Sequence, residues 1–312
     1  MKAIMIDNYG SRQELKEREI DTPSLKESQV LVELHATSIN PIDWKVREGY
    51  LKEMLPFDFP IILGWDAAGV VIETGSRVTD FKVGDRVFSR PDTTREGTYA
   101  EYAAVDAHLL AHMPEKMSFE EAAAIPLAGL TAWQCLTEFK SIKEGDHVLI
   151  HAGAGGVGNF AIQIAKNMGA YVTTTASGKN ADFLYSLGAD KVIDYKNEDF
   201  SETLSDVDFV LDAVGGEVQS KSYHVLKQDG LLVSIVEPPS EDEAGKHHVH
   251  AHFHWLEPDG DQLQKLAGLY EQDKVKPVVG TTFDFNEESL QEAHALSEST
   301  HARGKIVIQI KK

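Results

Sequence analysis

Hydrophobic and polar positions change rhythm along the chain, and the changes mark its organisation. Up to about residue 115 the apolar residues fall in short clusters and alternations bounded by Gly, Asp and Pro. The opening MKAIMIDNYG reads as a first strand, and QVLVELHATSIN alternates as a strand through Ala36. GVVIETG, GDRVFS and GTYAEYAAV are further short strands. Short strands with tight turns predict a compact, partly barrel-like β region.

Near residue 118 the texture becomes helical. SFEEAAAIPLAGLTAWQCLTEF opens with Ser118 and Glu121 in capping-box spacing, and an alanine run follows. Pro126 and Gly129 interrupt it, which predicts two helical pieces. From residue 142 to about 256, apolar runs alternate with amphipathic stretches. DHVLIHA, AYVTTTA, KVID, VDFVLDAVG and LLVSIV read as strands, with HAHFHWL as a sixth. GNFAIQIAKNMG, KNADFLYSLG and SYHVLKQDG read as helices; in the first, Phe160, Ile164 and Met168 share a face. This alternation predicts an α/β unit, a parallel sheet with helices on both faces. In the tail, GDQLQKLAGLYEQDKV and NEESLQEAHALSE read as helices and GKIVIQI as a closing strand. A lone strand needs a sheet to join. The β-rich beginning is its natural partner, so the α/β unit is expected to be an insertion between two parts of another domain.

Charge and cysteine content narrow the partners. The 312 residues carry 30 Lys plus Arg against 50 Asp plus Glu, a formal charge of −20. Such a surface repels nucleic acid and anionic membranes, so neither is expected as a partner. The one cysteine, Cys135, rules out an intramolecular disulfide and a cysteine-rich zinc site, and suits a reducing cytoplasm. It reads as a small buried hydrophobe. No uninterrupted apolar run reaches the roughly 18 residues of a membrane span, and the first residues do not read as a signal peptide.

The clearest candidate chemistry lies at HVLIHAGAGGVG, a strand followed by Gly153, Gly155, Gly156 and Gly158 and then a helix. In a dinucleotide site the tight turn needs glycine, Gly155 leaves room for a pyrophosphate and Gly158 permits close helix–strand packing. The N–H groups at the helix start, with the dipole, favour the anion. The same glycines serve equally in a purely structural turn, but their place between strand and helix favours the dinucleotide. At the end of the second strand, where an NAD site carries an acid, stand Thr174, Thr175 and Ser177, followed by Lys179. Hydroxyls with a lysine accept a 2′-phosphate, which points to NADP(H); the alternative is a plain polar turn.

Other constellations are missing. Neither a convergent zinc ligand set nor a G-x-S-x-G nucleophile elbow occurs. His250, His252 and His254 alternate on one strand, and read as ordinary polar positions at a sheet edge more readily than as a metal site. Asp43 and Asp66 suit either catalysis or the satisfaction of turn N–H groups.

Eight motifs in order resemble the zinc-independent quinone oxidoreductase (zeta-crystallin-like) branch of the medium-chain dehydrogenase/reductase superfamily. They are ATSINPIDWKVREG, PIILGWDAAGVV, GDRVF, GTYAEY, AAIPLAGLTAW, GDHVLIHAGAGGVGNFAIQIAK, GADKVIDY and GKIVI, together spanning nearly the whole chain. The resemblance implies a Rossmann-type parallel-sheet domain, 119–261, inserted in a GroES-like β-rich catalytic domain, 1–118 and 262–312, with the active cleft at their boundary. Where zinc-dependent relatives carry Cys and Gly-His-Glu, this chain has Asn40 and Gly64-Trp65-Asp66, so no metal is expected. By resemblance, Asn40 orients a substrate carbonyl, Asp43 fixes its loop through local backbone or Arg47, and Tyr50 donates a hydrogen bond. Trp65 shapes the substrate pocket, with Asp66 structural. The cofactor falls to Thr131, Gly153, Gly155, Gly156, Val157, Gly158, Thr175, Ser177, Lys179, Tyr195, Gly215 and Lys305.

The activity implied is hydride transfer from NADPH to a quinone or an α,β-unsaturated carbonyl. Asn40 or Tyr50 polarises the acceptor, and Tyr50 or solvent supplies the proton. A nonenzymatic NADPH-binding sensor or structural protein is the alternative. A cytoplasmic homodimer built at the LLVSIV–HAHFHWL sheet edge is expected, with a tetramer left open.

Overall fold

The computed structural model describes residues 1–311. Its chain forms two compact units. One comprises Met1–Leu130, Pro258–Gln272 and the chain from Pro277 onward; the other comprises Thr131–Glu257 with Asp273–Lys276. The first unit thus extends past residue 118 to Leu130, and the boundary falls inside the helical stretch that follows.

In chain order the first unit begins with β1 (Lys2–Ile6), β2 (Lys16–Glu19), β3 (Gln29–Ile39), α1 (Pro41–Arg47), β4 (Ile61–Ile62), β5 (Ala67–Thr74), β6 (Arg86–Ser89), β7 (Tyr102–Asp106), β8 (Leu110–His112) and α2 (Phe119–Ala123), and α3 (Pro126–Thr137) starts in it and passes into the second unit after Leu130. Strand β3 runs past Ala36 to Ile39 because Ala36–Ile39 pair with the chain's last strand, a partner no local pattern reveals. The GTYAEYAAV stretch is regular strand only from Tyr102. Before it, Gly97 passes so close to the carbonyls of Ile62, Leu63 and Gly64 that any side chain would strike backbone. Ser118 caps α2, its Oγ accepting from Glu121 N while Glu121 returns a bond to Ser118 N. Pro126 does divide the helical stretch, because its missing N–H is harmless in a first turn. Gly129 does not interrupt; it lies inside α3.

The second unit adds β9 (His147–Ile150), α4 (Gly156–Asn167), β10 (Tyr171–Ala176), α5 (Ala181–Ser186), β11 (Lys191–Asp194), α6 (Phe200–Thr203), β12 (Val207–Asp212), α7 (Gly216–Val225), β13 (Leu226–Ser234), α8 (Glu241–Lys246) and β14 (His250–Phe253). All six strands are parallel, in the order β11-β10-β9-β12-β13-β14. This is the Rossmann order, with a switch point beside the first strand. The expected helix SYHVLKQDG is corrected: α7 ends at Val225, and Leu226–Gly230 belong to β13, where Leu226 pairs with Val207. Sheet pairing overrides the weak helical pattern there.

The chain then returns to the first unit with α9 (Gly260–Glu271), β15 (Val279–Asp284), α10 (Glu287–Glu298) and β16 (Lys305–Gln309). Strand β16 lies between β15 and β3 in a sheet ordered β15-β16-β3-β5-β6-β8, with β7 also on β3; β2-β1-β4 form a second, antiparallel sheet. The tail therefore completes the β-rich unit, as the lone-strand argument requires. Ile4, Ile6, Leu15, Ile39, Val46, Trp65, Tyr99, Leu290 and Ile306 form one core there. That core surrounds the junction between β3 and α1.

Candidate active site

Two clusters carry the candidate chemistry, one in each unit. In the first unit, β3 delivers Asn40 to the start of α1, where Pro41 presets the first helical turn. Asp43, one turn on, accepts from Asn40 N at 2.8 Å through Oδ2. Asn40 Nδ2 donates to Asp66 Oδ2 at 2.7 Å, and Asn40 Oδ1 accepts from Lys305 Nζ. Lys305 also donates to Ile39 O at 3.1 Å and lies 3.4 Å from Asp66 Oδ2. Asp66 is saturated: Oδ2 further accepts from Ser38 Oγ at 2.5 Å, and Oδ1 from Leu127 N at 2.8 Å. Sequence positions 38–43, 66 and 305 meet because β16 pairs with the end of β3.

Burial sets the electrostatics. Asp43 has no exposed surface, and desolvation pushes its carboxyl up to about 7 against the donors Asn40 N and Tyr99 Oη. Its Oδ1 has no hydrogen-bond partner among the described residues. Lys305 is pulled down by desolvation, opposed by Asp66 and Asp43. Burial likewise takes Arg90 down to about 10; its Nη2 donates to Thr93 Oγ1 at 2.7 Å, and its Nε is unpartnered.

The predicted substrate-side residues separate in this structure. Asn40, Asp43, Trp65 and Lys305 are buried, whereas Tyr50 is 71% exposed, edge-on to Trp44 at 6.2 Å between ring centroids. Trp65 is a core residue whose Nε1 donates to Thr94 O at 3.0 Å. Lys305, expected among the cofactor residues, donates to Asn40 Oδ1. Among the described residues Arg47 does not pair with Asp43; it reaches His294 and Glu298, and His294 meets Tyr99, whose hydroxyl donates to Asp43. Tyr99 and His294 were not singled out from the sequence. Their signals were a tyrosine inside the GTYAEY motif and a histidine on the apolar face of α10, neither of which announces a partner.

In the second unit β9 ends at Ile150 and the glycine turn leads into α4. A Cβ on Gly158 would lie 2.5 Å from Ala152 O and 2.7 Å from Gly153 Cα, and one on Gly153 would strike Thr174 Oγ1. A Cβ on Gly155 would meet, among the described residues and apart from its chain neighbours, Ala152 O alone within 4 Å, at 3.2 Å, so that side of the turn is open. Gly156, Val157 and Gly158 carry the N–H groups that have no carbonyl one turn earlier inside α4. Asn159 Nδ2 binds the carbonyls of Gly155 and Gly156 at 2.8 Å each and holds the turn. The cradle fits a pyrophosphate.

Thr175 hydroxyl braces that turn: it meets His151 Nδ1 at 3.0 Å and Ala152 N at 3.3 Å. His151 is buried, bonded also to Ser222 Oγ at 2.9 Å, and desolvation takes it down to about 4. Ser177 is partly exposed and accepts from Asn180 Nδ2 at 3.3 Å; Lys179 is exposed and forms no ion pair among the described residues. Tyr195 is 57% exposed beside them, its N bonded to Ala176 O. Asp194 lies under Gly178, where a Cβ would come within 2.6 Å of its Oδ2. Gly215 takes φ 81° at the start of α7, its N bonded to Asp212 Oδ1 at 2.8 Å. Thr131 is buried in α3. Of the three histidines, His250 and His252 are exposed on β14, while His254 lies beyond it, buried and bonded to Gln134 Oε1 at 3.0 Å.

A zinc ion does not fit the donor set. Asn40 and Trp65 are not zinc ligands, Asp66 is committed to other donors, and no group of three or more His, Cys, Asp or Glu converges among the described residues. No helix among the described residues is long and apolar enough to cross a membrane.

Residues 26–115 match the family described as alcohol dehydrogenase GroES-like domain, and residues 187–308 that described as zinc-binding dehydrogenase. The chain is similar to an Arabidopsis thaliana protein called NADPH-dependent alkenal/one oxidoreductase, chloroplastic, at 37% identity over 99% of this chain and 79% of that one. Its fold superposes on the quinone oxidoreductase from Coxiella burnetii with a TM-score of 0.92, at 39% identity over 100% and 99% of the two chains. The Escherichia coli quinone oxidoreductase complexed with NADPH gives a TM-score of 0.90 at 29% identity over 99% and 100%. Fold, motif order and these likenesses agree: the chain belongs to the zinc-independent quinone oxidoreductase branch of the medium-chain dehydrogenase/reductase superfamily.

Proposed function

We propose that this protein is an NADPH-dependent oxidoreductase that reduces quinones or α,β-unsaturated carbonyl compounds. The observation that carries the reading is the open glycine turn after β9, with helix-start N–H groups that have no intrahelical acceptor, followed at the end of β10 by hydroxyls and a lysine that forms no ion pair among the described residues. Gly153, Gly155, Gly156, Val157 and Gly158 hold the pyrophosphate. Ser177, Lys179 and Tyr195 take the 2′-phosphate, with Thr175 keeping the turn in shape. Gly215 and Thr131 line the remainder of the cofactor. The domain division at 118/119 and 261/262 belongs to the same reading.

Bound NADPH supplies the hydride. Tyr50 presents an exposed phenol that can donate to the acceptor oxygen as negative charge develops there. Asn40 retains one amide hydrogen beyond that given to Asp66, and Lys305 on its Oδ1 polarises the amide towards donation. Asp43 and Lys305 hold Asn40 from its two sides, and Trp65 closes the apolar floor. Hydrogen-bond donors alone suit acceptors already activated by conjugation. The proton that completes the reduction comes from Tyr50 or water. A relative named for alkenal and enone reduction and one bound to NADPH support this assignment.

A cytoplasmic homodimer is also proposed. Among the described residues strand β14 pairs only with β13, which leaves its other edge for a second copy; Cys135 is a free thiol, suited to a reducing compartment. The test is oxidation of NADPH followed at its nicotinamide absorbance with a panel of quinones, enals and enones, beside binding titrations of NADPH and NADH. No turnover above background across the panel refutes the enzyme, and equal affinity for the two cofactors refutes the 2′-phosphate pocket.

A further inference from the structure

A buried chain of hydrogen bonds leads from Asp43 to two partly exposed carboxylates, and no step above uses it. Tyr99 Oη lies 2.8 Å from Asp43 Oδ2 and 3.1 Å from His294 Nε2. His294 Nδ1 lies 2.9 Å from Arg47 Nη1. Glu298 accepts from the same Nη1 at 2.8 Å, Glu48 from Nη2, and Gly10 O from Nε at 3.0 Å. Asp43, Tyr99, His294 and Arg47 have no exposed surface.

Valence fixes where the hydrogens are. Arginine only donates, so His294 Nδ1 accepts. The imidazole is neutral, because burial and the Arg47 charge pull it down to about 3, and its hydrogen is therefore on Nε2. That N–H donates to Tyr99 Oη. The single tyrosine hydrogen then points to Asp43 Oδ2, which already accepts Asn40 N–H. Any proton taken up by Asp43 must add to Oδ1, the oxygen without a partner.

We propose that Tyr99 and His294 are positioning residues for acceptor reduction: Arg47, through His294, sets the direction of the Tyr99 hydroxyl, which anchors Asp43 and with it the Asn40 end of α1. The inference rests on the reading of the site given above. Every hydrogen bond to Asp43 Oδ2 favours its ionised form. Ionised Asp43 in turn favours the Lys305 ammonium that holds Asn40 Oδ1. The charged and titratable groups around Asp43 are Arg47 on α1, Asp66 before β5, Arg90 after β6, Tyr99 before β7, His294 on α10 and Lys305 on β16. Only the Tyr99–His294–Arg47 branch is altered below.

The experiment compares Tyr99→Phe, His294→Leu and His294→Gln with the wild-type protein. Phenylalanine keeps the ring and removes the donor; glutamine places an amide N–H near the Nε2 position. In Tyr99→Phe and His294→Leu the acid limb of the kcat profile is expected to move up by about one pH unit, the value of one charge-assisted hydrogen bond. The NADPH dissociation constant is expected to stay the same. His294→Gln is expected to restore the wild-type profile. The double variant Tyr99→Phe/His294→Leu is expected to equal Tyr99→Phe alone, because the two act in series. The protonated-carboxyl infrared band of Asp43, identified by its loss in Asp43→Asn, is expected to shift its midpoint upward by the same amount. An unmoved midpoint in both Tyr99→Phe and His294→Leu overturns the proposal, as does an additive double variant. If Tyr99→Phe does not fold, the His294→Leu and His294→Gln pair decides. If the wild-type protein reduces no acceptor, the functional reading fails, and the infrared midpoint still decides whether the chain controls Asp43.

Discussion

Replacing Asp43 by asparagine tests the electrostatics of the site through stability, without any substrate. The carboxyl has no exposed surface, and desolvation raises it from the reference 3.8 to about 7. Between those values the folded protein keeps a proton that the unfolded chain has released. Stability therefore falls as pH rises through this window: Asp43 contributes most favourably below about pH 4, and its contribution is lost by about pH 7. A shift of about three units at about 1.4 kcal/mol each makes the change about 4 kcal/mol. Asparagine lacks the titration and keeps an oxygen for Asn40 N and Tyr99 Oη. It sets an amide in place of Oδ1, where no acceptor stands, at a pH-independent cost of about 1–3 kcal/mol. Urea unfolding followed by tryptophan fluorescence, with Trp44 and Trp65 in the same unit, supplies the stability at each pH. The wild-type stability minus that of Asp43→Asn should decrease by about 4 kcal/mol from pH 4 to pH 8. A difference that stays constant within about 1 kcal/mol refutes the reasoning, because it means that Asn40 N and Tyr99 Oη keep Asp43 ionised throughout.

Three further outcomes follow from other parts of the molecule. Gly158→Ala sets a methyl 2.5 Å from Ala152 O, which must displace the turn; NADPH affinity, read by fluorescence titration, should fall at least about tenfold, or about 1.4 kcal/mol. Lys179→Ala removes one charge-assisted contact to a 2′-phosphate, worth about 1.5–3 kcal/mol; NADPH binding should weaken about 10- to 100-fold while NADH binding is unchanged. Cys135 is buried, and desolvation raises its thiol above the usual range; a disulfide reagent should label it only after denaturation, as measured by the stoichiometry of released thiolate.

The elements with strong local codes were legible in the sequence. The strand, glycine turn and helix at 147–167 occur in the order the pattern sets, with the helix starting at Gly156, inside the glycine run, since turn geometry and helix start depend on neighbours a few residues away. The capping box at Ser118 is equally local. The lone apolar tail implied a distant sheet by a physical necessity, the satisfaction of strand edges. Where a partner decided the outcome, local reading fell short: β3 runs on to Ile39 because β16 lies against it, and LKQDG is strand because β12 is its neighbour.

The candidate site divides along the same line. The resemblance in motif order marked out Asn40, Asp43, Trp65 and Lys305, and residue chemistry marked out the hydroxyls and lysine after β10. Tertiary structure decided what those side chains do. It tied Lys305 to Asn40 across 265 positions and His294 to Tyr99 across 195, left Tyr50 in solvent, and turned Thr175 inward to His151. Side-chain hydrogen bonds of that reach depend on which strands pair and what they bury, and burial is also what moves Asp43 towards neutrality. A one-dimensional pattern records which groups are available; only the packed chain determines which of them meet away from water.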